Sequence, residues 1–223
     1  MRYVIIGNSA AGLAGAETIR RLQPQAPITI ISDEPYPAYC RPLLTYLLAG
    51  AIREKDLWLK ASDYYQSWDF TPILGQRVIE VDAAARTVAL TGGQVVSYDR
   101  LLVASGARPI LPGIPGQDLQ GVFTVRTLGE FKAMQQMLRP EMKVAVVGSG
   151  LVGIKTAQAL AQSSHDVTLV ARKSQVLSTL LDADAAGLLH QALERVGVKL
   201  RFHAVPTACS GRGGRVTGVV LTD

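Results

Sequence analysis

The sequence predicts an α/β protein built from two parallel-sheet domains, and three features carry that prediction. The first is Tyr3-Val4-Ile5-Ile6-Gly7-Asn8-Ser9-Ala10-Ala11-Gly12, an apolar strand that runs into a glycine-rich turn and a helix. The second is Val144-Ala145-Val146-Val147-Gly148-Ser149-Gly150-Leu151-Val152-Gly153, which repeats the same order about 140 residues later. The third is Pro109 to Gly116, whose three prolines and two glycines mark a linker. One glycine turn of this kind is a weak signal; two, each between a β-type and a helix-type run, are much stronger. Each is the signature of a Rossmann-like, three-layer dinucleotide-binding domain, with a parallel sheet and a small antiparallel β-meander. The domains are placed at 1–110 and 111–223. Two dinucleotide sites on one chain imply passage of electrons from one cofactor to the other.

The elements follow in order. Val4 to Ile6 is short, β-branched and apolar at every position, which is the pattern of a strand buried on both faces. Ala10 to Leu22 reads as a helix with small residues where it crosses the sheet, and Pro27 to Ser32 as a second buried strand. Tyr36 to Gly50 is irregular and then apolar; Asp56 to Trp68 reads as a loop and a helix. Arg77 to Asp82, Thr87 to Leu90 and Val95 to Tyr98 alternate like antiparallel strands, with a turn at Gly92-Gly93. Arg100 to Ala104 is expected to be another buried strand. Beyond the linker, Leu128 to Leu138 is helical, Lys143 restarts the strand–turn–helix pattern, and Val167 to Val170 is its second strand. Ala183 to Val196 forms an amphipathic helix, and Val198 to Phe202 and Arg215 to Leu221 are strands.

Composition narrows the function. Hydrophobic residues make up 48% and charged residues 18%, which suits a buried α/β core. The net charge is +5, but the cations are scattered, apart from Ala171-Arg172-Lys173 and Gly211-Arg212-Gly213-Gly214-Arg215. No basic stripe interleaved with aromatics is present, so nucleic acid is excluded as the expected partner and small anionic molecules are favoured. The two cysteines, Cys40 and Cys209, make no disulfide framework, which points to a reducing compartment. No apolar run reaches the roughly 20 residues of a membrane span. The N-terminal apolar run is broken by the glycine turn and Glu17 and has no cleavage site, so the expected location is the cytoplasm. His165, His190 and His203 show no metal-ligand spacing, and no metal is expected. Trp58, Tyr64, Tyr65 and Trp68 lie at helical spacing and read as core.

In the first turn Gly7 permits the tight bend and Gly12 close helix–strand packing. Ser9 replaces the middle glycine and is small enough for a pyrophosphate to approach, while Ala10 and Ala11 bring free N–H groups and the positive end of the helix to it. Asp33 and Glu34, at the end of the next strand, can accept ribose hydroxyls. The second turn has all three glycines, Gly148, Gly150 and Gly153, with Leu151 and Val152 opening the helix. Its second strand ends in Arg172-Lys173 with no acid at the ribose position. An acid would repel a 2′-phosphate and arginine accommodates it, so NADPH is favoured over NADH.

With these residues in view, the chain resembles the flavin-dependent pyridine nucleotide–disulfide oxidoreductases, nearest the rubredoxin and ferredoxin reductases and the flavin part of assimilatory nitrite reductases. The resemblance implies that Gly7 to Gly12 is the FAD pyrophosphate loop and Asp33-Glu34-Pro35 the acid that follows it. Tyr39-Cys40-Arg41-Pro42-Leu43-Leu44 is similar to the segment running past the isoalloxazine, with Arg41 among the FAD residues. Gln76 to Asp82 resembles the stretch whose backbone meets the adenine at Val78. Ala104-Ser105-Gly106 stands in the place of an Ala-Thr-Gly fingerprint, and Gly121 to Thr127 matches the entry to the NAD(P) domain. The implied chemistry is hydride transfer from NAD(P)H to FAD and electron delivery to an acceptor such as rubredoxin, ferredoxin or a nitrite-reducing centre. No side chain is expected as acid or base, because the cofactors carry the reaction.

Three departures stand out. Lys155 occupies a position where the family usually has an acid near nicotinamide and flavin; it is expected to face an anion or an acidic neighbour, to mark a different nicotinamide position, or to bend into solvent. Cys40 stands about two positions earlier than the reactive cysteine of the disulfide-reducing members. It is either a small partly buried side chain or the thiol of an NADH oxidase or coenzyme A disulfide reductase. The chain also ends after a strand, where family members continue into a second FAD segment and a dimerisation domain. The sequence is therefore expected to be a fragment, with a homodimer only in the full-length protein. A non-catalytic nucleotide-binding module is the remaining alternative.

Overall fold

A computed structural model describes residues 1–222. The chain runs β1 (Tyr3–Ile6), α1 (Ala10–Leu22), β2 (Ile28–Ser32), α2 (Leu44–Leu48), α3 (Tyr64–Ser67), β3 (Phe70–Leu74), β4 (Val78–Asp82), β5 (Thr87–Leu90), β6 (Val95–Ser97) and β7 (Arg100–Val103). It continues through α4 (Leu128–Met137), β8 (Lys143–Val147), α5 (Leu151–Gln162), β9 (Asp166–Val170), α6 (Ala183–Arg195), β10 (Val198–Arg201), β11 (Val205–Arg212) and β12 (Arg215–Thr222). No helix among the described residues is long and apolar enough to cross a membrane.

Two compact units divide the chain. One comprises Met1–Cys40 and Lys55–Arg108; the other comprises Arg41–Glu54 and the residues from Pro109 on. The sequence placed 41–54 in the first domain. It packs instead with the second unit, because Leu44, Thr45 and Leu48 of α2 are buried and α2 lies against α4 and α5.

The first unit has the predicted layers. Its parallel sheet has the order β3-β2-β1-β7. Side chains alternate across it, as a pleat requires. Ile5, Ile28 and Ile30 face Leu13 and Ala16 of α1 together with Tyr64 and Phe70. Val4 and Ile31 face Val88 and Leu90 of the β4-β5-β6 meander and Tyr98. Both faces are therefore covered, which is why β1 and β2 carry apolar residues on both of them. β7 departs from expectation. It is the edge strand, and Leu102 and Val103 are 36% and 62% exposed rather than buried. β3, which the sequence did not announce, adds the opposite edge; Pro72 is tolerated there because an edge strand can spare one N–H.

The second unit holds the parallel sheet β10-β9-β8, with α5 lying against all three strands and α6 against β10. Its antiparallel part is the β11-β12 hairpin, closed by Gly213 and Gly214 at φ 59° and 77°. Two consecutive positive φ angles are what a two-residue hairpin turn of the favoured twist requires. The end of the proline-rich stretch is stitched to this hairpin: the Cys209 N–H donates to the Pro115 carbonyl at 2.8 Å, and Gln120 N–H to that of Gly214 at 3.0 Å.

Candidate dinucleotide sites

The two glycine turns share their backbone hydrogen bonds. In the first unit Gly7 N–H donates to the Ile31 carbonyl at 2.8 Å, and Leu13 N–H to that of Ser9 at 2.9 Å. In the second, Gly148 N–H donates to the Val170 carbonyl at 2.9 Å, and Ile154 N–H to that of Gly150 at 3.0 Å. Gly7 and Gly148 have φ 125° and 110°, a region that side chains disfavour. A methyl group on Gly12 would collide with the Gly7 carbonyl oxygen, and one on Gly153 with that of Gly148. The helix thus sits directly on the turn, and no other residue type fits. A methyl group on Gly7 would meet the Ala104 carbonyl, so the backbone at Ala104 and Ser105 lies against the first turn. Gly106 itself takes φ 73°.

Ser9 is the N-cap of α1, yet its hydroxyl makes no capping bond. The first N–H groups of α1 and α5 have no intrahelical partner, and each helix begins where its parallel sheet ends. Ala10, Ala11, Leu151 and Val152 are exposed at these ends. This cradle fits a pyrophosphate: small residues, a bare backbone and a positive helix end.

The ribose positions differ between the units. Asp33 is exposed just past β2, and Glu34 beside it is held by the Tyr39 hydroxyl, which donates to its Oε2 at 2.6 Å. Past β9 stand Arg172 and Lys173, both exposed. Val78 opens β4 in the first unit. Arg41, expected with the residues of the first turn, belongs to the second unit, where its guanidinium donates to the Arg126 carbonyl at 3.1 Å.

Lys155 neither bends freely into solvent nor meets a carboxylate. Its Nζ lies 4.7 Å from the centre of the Tyr46 ring and 3.0 Å from Gln158 Oε1. The ring face supplies the negative side that an ammonium near a helix N-terminus lacks. Cys40 is a free thiol, partly buried, with its N–H donated to the Leu57 carbonyl at 2.9 Å.

Two residues of the first turn's surroundings were given no part in a site by the sequence. Asn8 Oδ1 accepts from the Tyr65 hydroxyl at 2.8 Å, and its Nδ2 donates to the Tyr36 carbonyl at 3.3 Å. The same Tyr65 hydroxyl accepts from Ala38 N–H at 3.1 Å. Tyr65, read as core, is thus the bridge between the turn and the segment after Asp33. Its neighbours Tyr64, Trp68 and Phe70 do form an aromatic cluster. Nothing in the spacing separates a bridging tyrosine from a packed one.

Fold and cradle together define a class: an α/β protein with two dinucleotide-binding turns. The chain belongs to the pyridine nucleotide-disulphide oxidoreductase family, whose profile matches residues 1–223. It is 33% identical over 211 residues to an assimilatory nitrate reductase electron transfer subunit of Bacillus subtilis, covering 94% of this chain and 27% of that protein. It is 36% identical over 208 residues to an NADH oxidase of Methanocaldococcus jannaschii, covering 90% of this chain and 46% of that one. The structure of a NAD-dependent persulfide reductase from A. fulgidus superposes with a TM-score of 0.92 at 28% identity, over 99% of this chain and 42% of that chain. The chain therefore spans less than half the length of each.

Proposed function

We propose that the chain is the nucleotide-binding part of an FAD-dependent oxidoreductase that takes hydride from NAD(P)H and passes electrons to a separate acceptor. The duplicated turn carries this reading, since two cradles of one construction serve two dinucleotides. The first would hold FAD and the second NAD(P)H. When bound, the flavin supplies the two-electron to one-electron chemistry. The chain's own groups bind and orient. Gly7, Ser9, Ala10, Ala11 and Gly12 present backbone to one pyrophosphate; Gly148, Gly150, Leu151, Val152 and Gly153 present it to the other. Glu34, oriented by Tyr39, and Asp33 would accept ribose hydroxyls of FAD. Arg172 and Lys173 would pair with the 2′-phosphate of NADPH. Arg41, Val78, Ala104, Ser105 and Gly106 would complete the proposed FAD set, and Lys155, in the first turns of α5, would lie toward the nicotinamide end.

The acceptor is proposed to be a redox protein or a nitrite-reducing centre, a reading that the name of the Bacillus subtilis relative supports. A cytoplasmic location is part of the same proposal. The thiol reading, with Cys40 as the redox residue, has the NADH oxidase and persulfide reductase relatives on its side.

The test is a visible spectrum of the purified protein with FAD, followed by NADPH and then NADH under argon. Flavin absorption that bleaches on nucleotide addition is the expected result, faster with NADPH. A protein that stays colourless with added FAD overturns the reading for this chain. Cys40→Ser should leave NAD(P)H turnover with a one-electron acceptor such as ferricyanide intact; reduction of a disulfide acceptor that disappears in this variant would transfer the assignment to the thiol chemistry.

A further inference from the structure

We propose that His190 is a positioning residue for the second dinucleotide site, and that it sets the preference for a 2′-phosphorylated nucleotide. The proposal rests on the reading of Arg172 and Lys173 as the cations that meet this phosphate. Both open the loop between β9 and α6, and that loop is fastened to its surroundings near its start and in its middle and braced within itself toward its end. Near its start, the Lys173 carbonyl accepts from His203 N–H at 3.4 Å. Near its end, Gln175 Nε2 donates to the Leu181 carbonyl at 2.9 Å. In the middle, Val176 N–H donates to His190 Nε2 at 3.2 Å, and the Val176 side chain is 0% exposed. The next residue, Leu177, donates its N–H to the carbonyl of Ser149 at 3.0 Å.

Ser149 is the central residue of Gly148-Ser149-Gly150. One short path of backbone therefore connects His190 to the pyrophosphate turn on one side and to the two cations on the other. Leu177 has φ 46°, a conformation that a branched side chain adopts only where its surroundings impose it. Hydrogen bonds hold both of its backbone groups: its N–H donates to Ser149, and its carbonyl accepts from the Leu180 and Leu181 N–H groups at 2.7 and 3.0 Å. His190 is itself held: it projects from α6, and its ring centre lies 4.7 Å from that of Phe202, just past β10.

A merely packed residue at this position could be leucine. Leucine would leave the Val176 N–H buried and unpaired, and the loop would gain by moving away from Ser149. Glutamine would keep an acceptor at about the same reach. The two substitutions therefore separate packing from positioning.

The experiment is titration calorimetry of the purified full chain with NADP⁺ and with NAD⁺, for wild type, His190→Leu, His190→Gln and the double variant Arg172→Ala/Lys173→Ala. The expected result is an affinity for NADP⁺ about tenfold weaker in His190→Leu, the scale of one lost buried hydrogen bond. NAD⁺ should change less, and His190→Gln should recover most of the loss. Equal affinities in wild type and His190→Leu overturn the inference, as does an equal loss for both nucleotides, whether or not glutamine rescues it. The double variant tests the underlying reading separately. If it leaves the NADP⁺ preference untouched, that reading fails; if it abolishes the preference while His190→Leu does not, only the His190 inference fails. Hydrogen exchange on the wild-type chain supplies a measurement that needs no variant. The Val176 and Leu177 amides should be protected to the same degree as the second glycine turn, and free exchange there overturns the proposal.

Discussion

Replacing Gly12 or Gly153 with alanine drives a methyl group into the carbonyl oxygen of Gly7 or Gly148. Backbone cannot step aside as a side chain can, so each change should cost about 1–3 kcal/mol in urea unfolding. Lys155 and Tyr46 form a pair whose worth a double-mutant cycle can isolate. With Lys155→Met and Tyr46→Leu, a coupling of about 0.5–1 kcal/mol is expected for a partly exposed cation on a ring. Glu17 accepts from Lys60 at 2.6 Å and from Tyr64 at 2.8 Å, and these bonds hold its carboxyl below the ordinary glutamate range. An acid lowered in this way contributes stability above its unfolded value of about 4.3, and loses it as pH falls through the lower folded value. Wild type should therefore lose more stability than Glu17→Gln between neutral pH and pH 3, measured by denaturant titration at each pH. The glycines could be read from the sequence because a steric need allows one residue type. Asn8, Tyr65 and His190 could not, since their partners lie on segments distant in sequence.

At the scale of elements, α4 begins with a capping box. The Thr127 hydroxyl accepts from Glu130 N–H, while Glu130 accepts from Thr127 N–H at 2.9 Å. Burial pushes the Glu130 carboxyl up, but hydrogen bonds from Thr124, Thr127 and Arg126 outweigh it and hold it low. Thr127→Ala should cost about 1 kcal/mol, read as a drop in the urea midpoint. α5 offers the opposite case. Thr156 is buried with its hydroxyl unpartnered, so Thr156→Val, which keeps the shape, should be neutral or stabilising by about 1 kcal/mol. The longer helices and the central strands were legible from the sequence because their apolar pattern is strong, whereas the five-residue α2 was not. β3 was not, because Thr71 and Pro72 break the pattern at an edge. β11 was not, because Pro206, Thr207, Cys209 and Ser210 carry no alternation. β7 looked buried because its residues are apolar, and exposure is decided by strand order rather than by composition.

For the whole molecule, the consequential fact is that the second unit is discontinuous. Its helix α2 comes from 41–54, far from the rest in sequence, so no local pattern could assign it. A fragment of residues 111–223 should therefore melt well below the same unit in the intact chain and bind a hydrophobic dye, because the α2-facing sides of α4 and α5 are uncovered. Adding a peptide of residues 41–54 should reverse part of this; a fragment as stable as the intact chain would mean that α2 contributes nothing. The same discontinuity imposes an order on synthesis. α2 emerges from the ribosome about a hundred residues before α5, a delay of roughly 5–20 s at ordinary translation rates. Throughout it, Leu44 and Leu48 have no α5 to pack on, although every strand of the first unit has been made well before α5 appears. The nascent chain thus carries an unsatisfied apolar hook whose partner is still being translated, and slowing elongation between β7 and α5 should lengthen its exposure to chaperones.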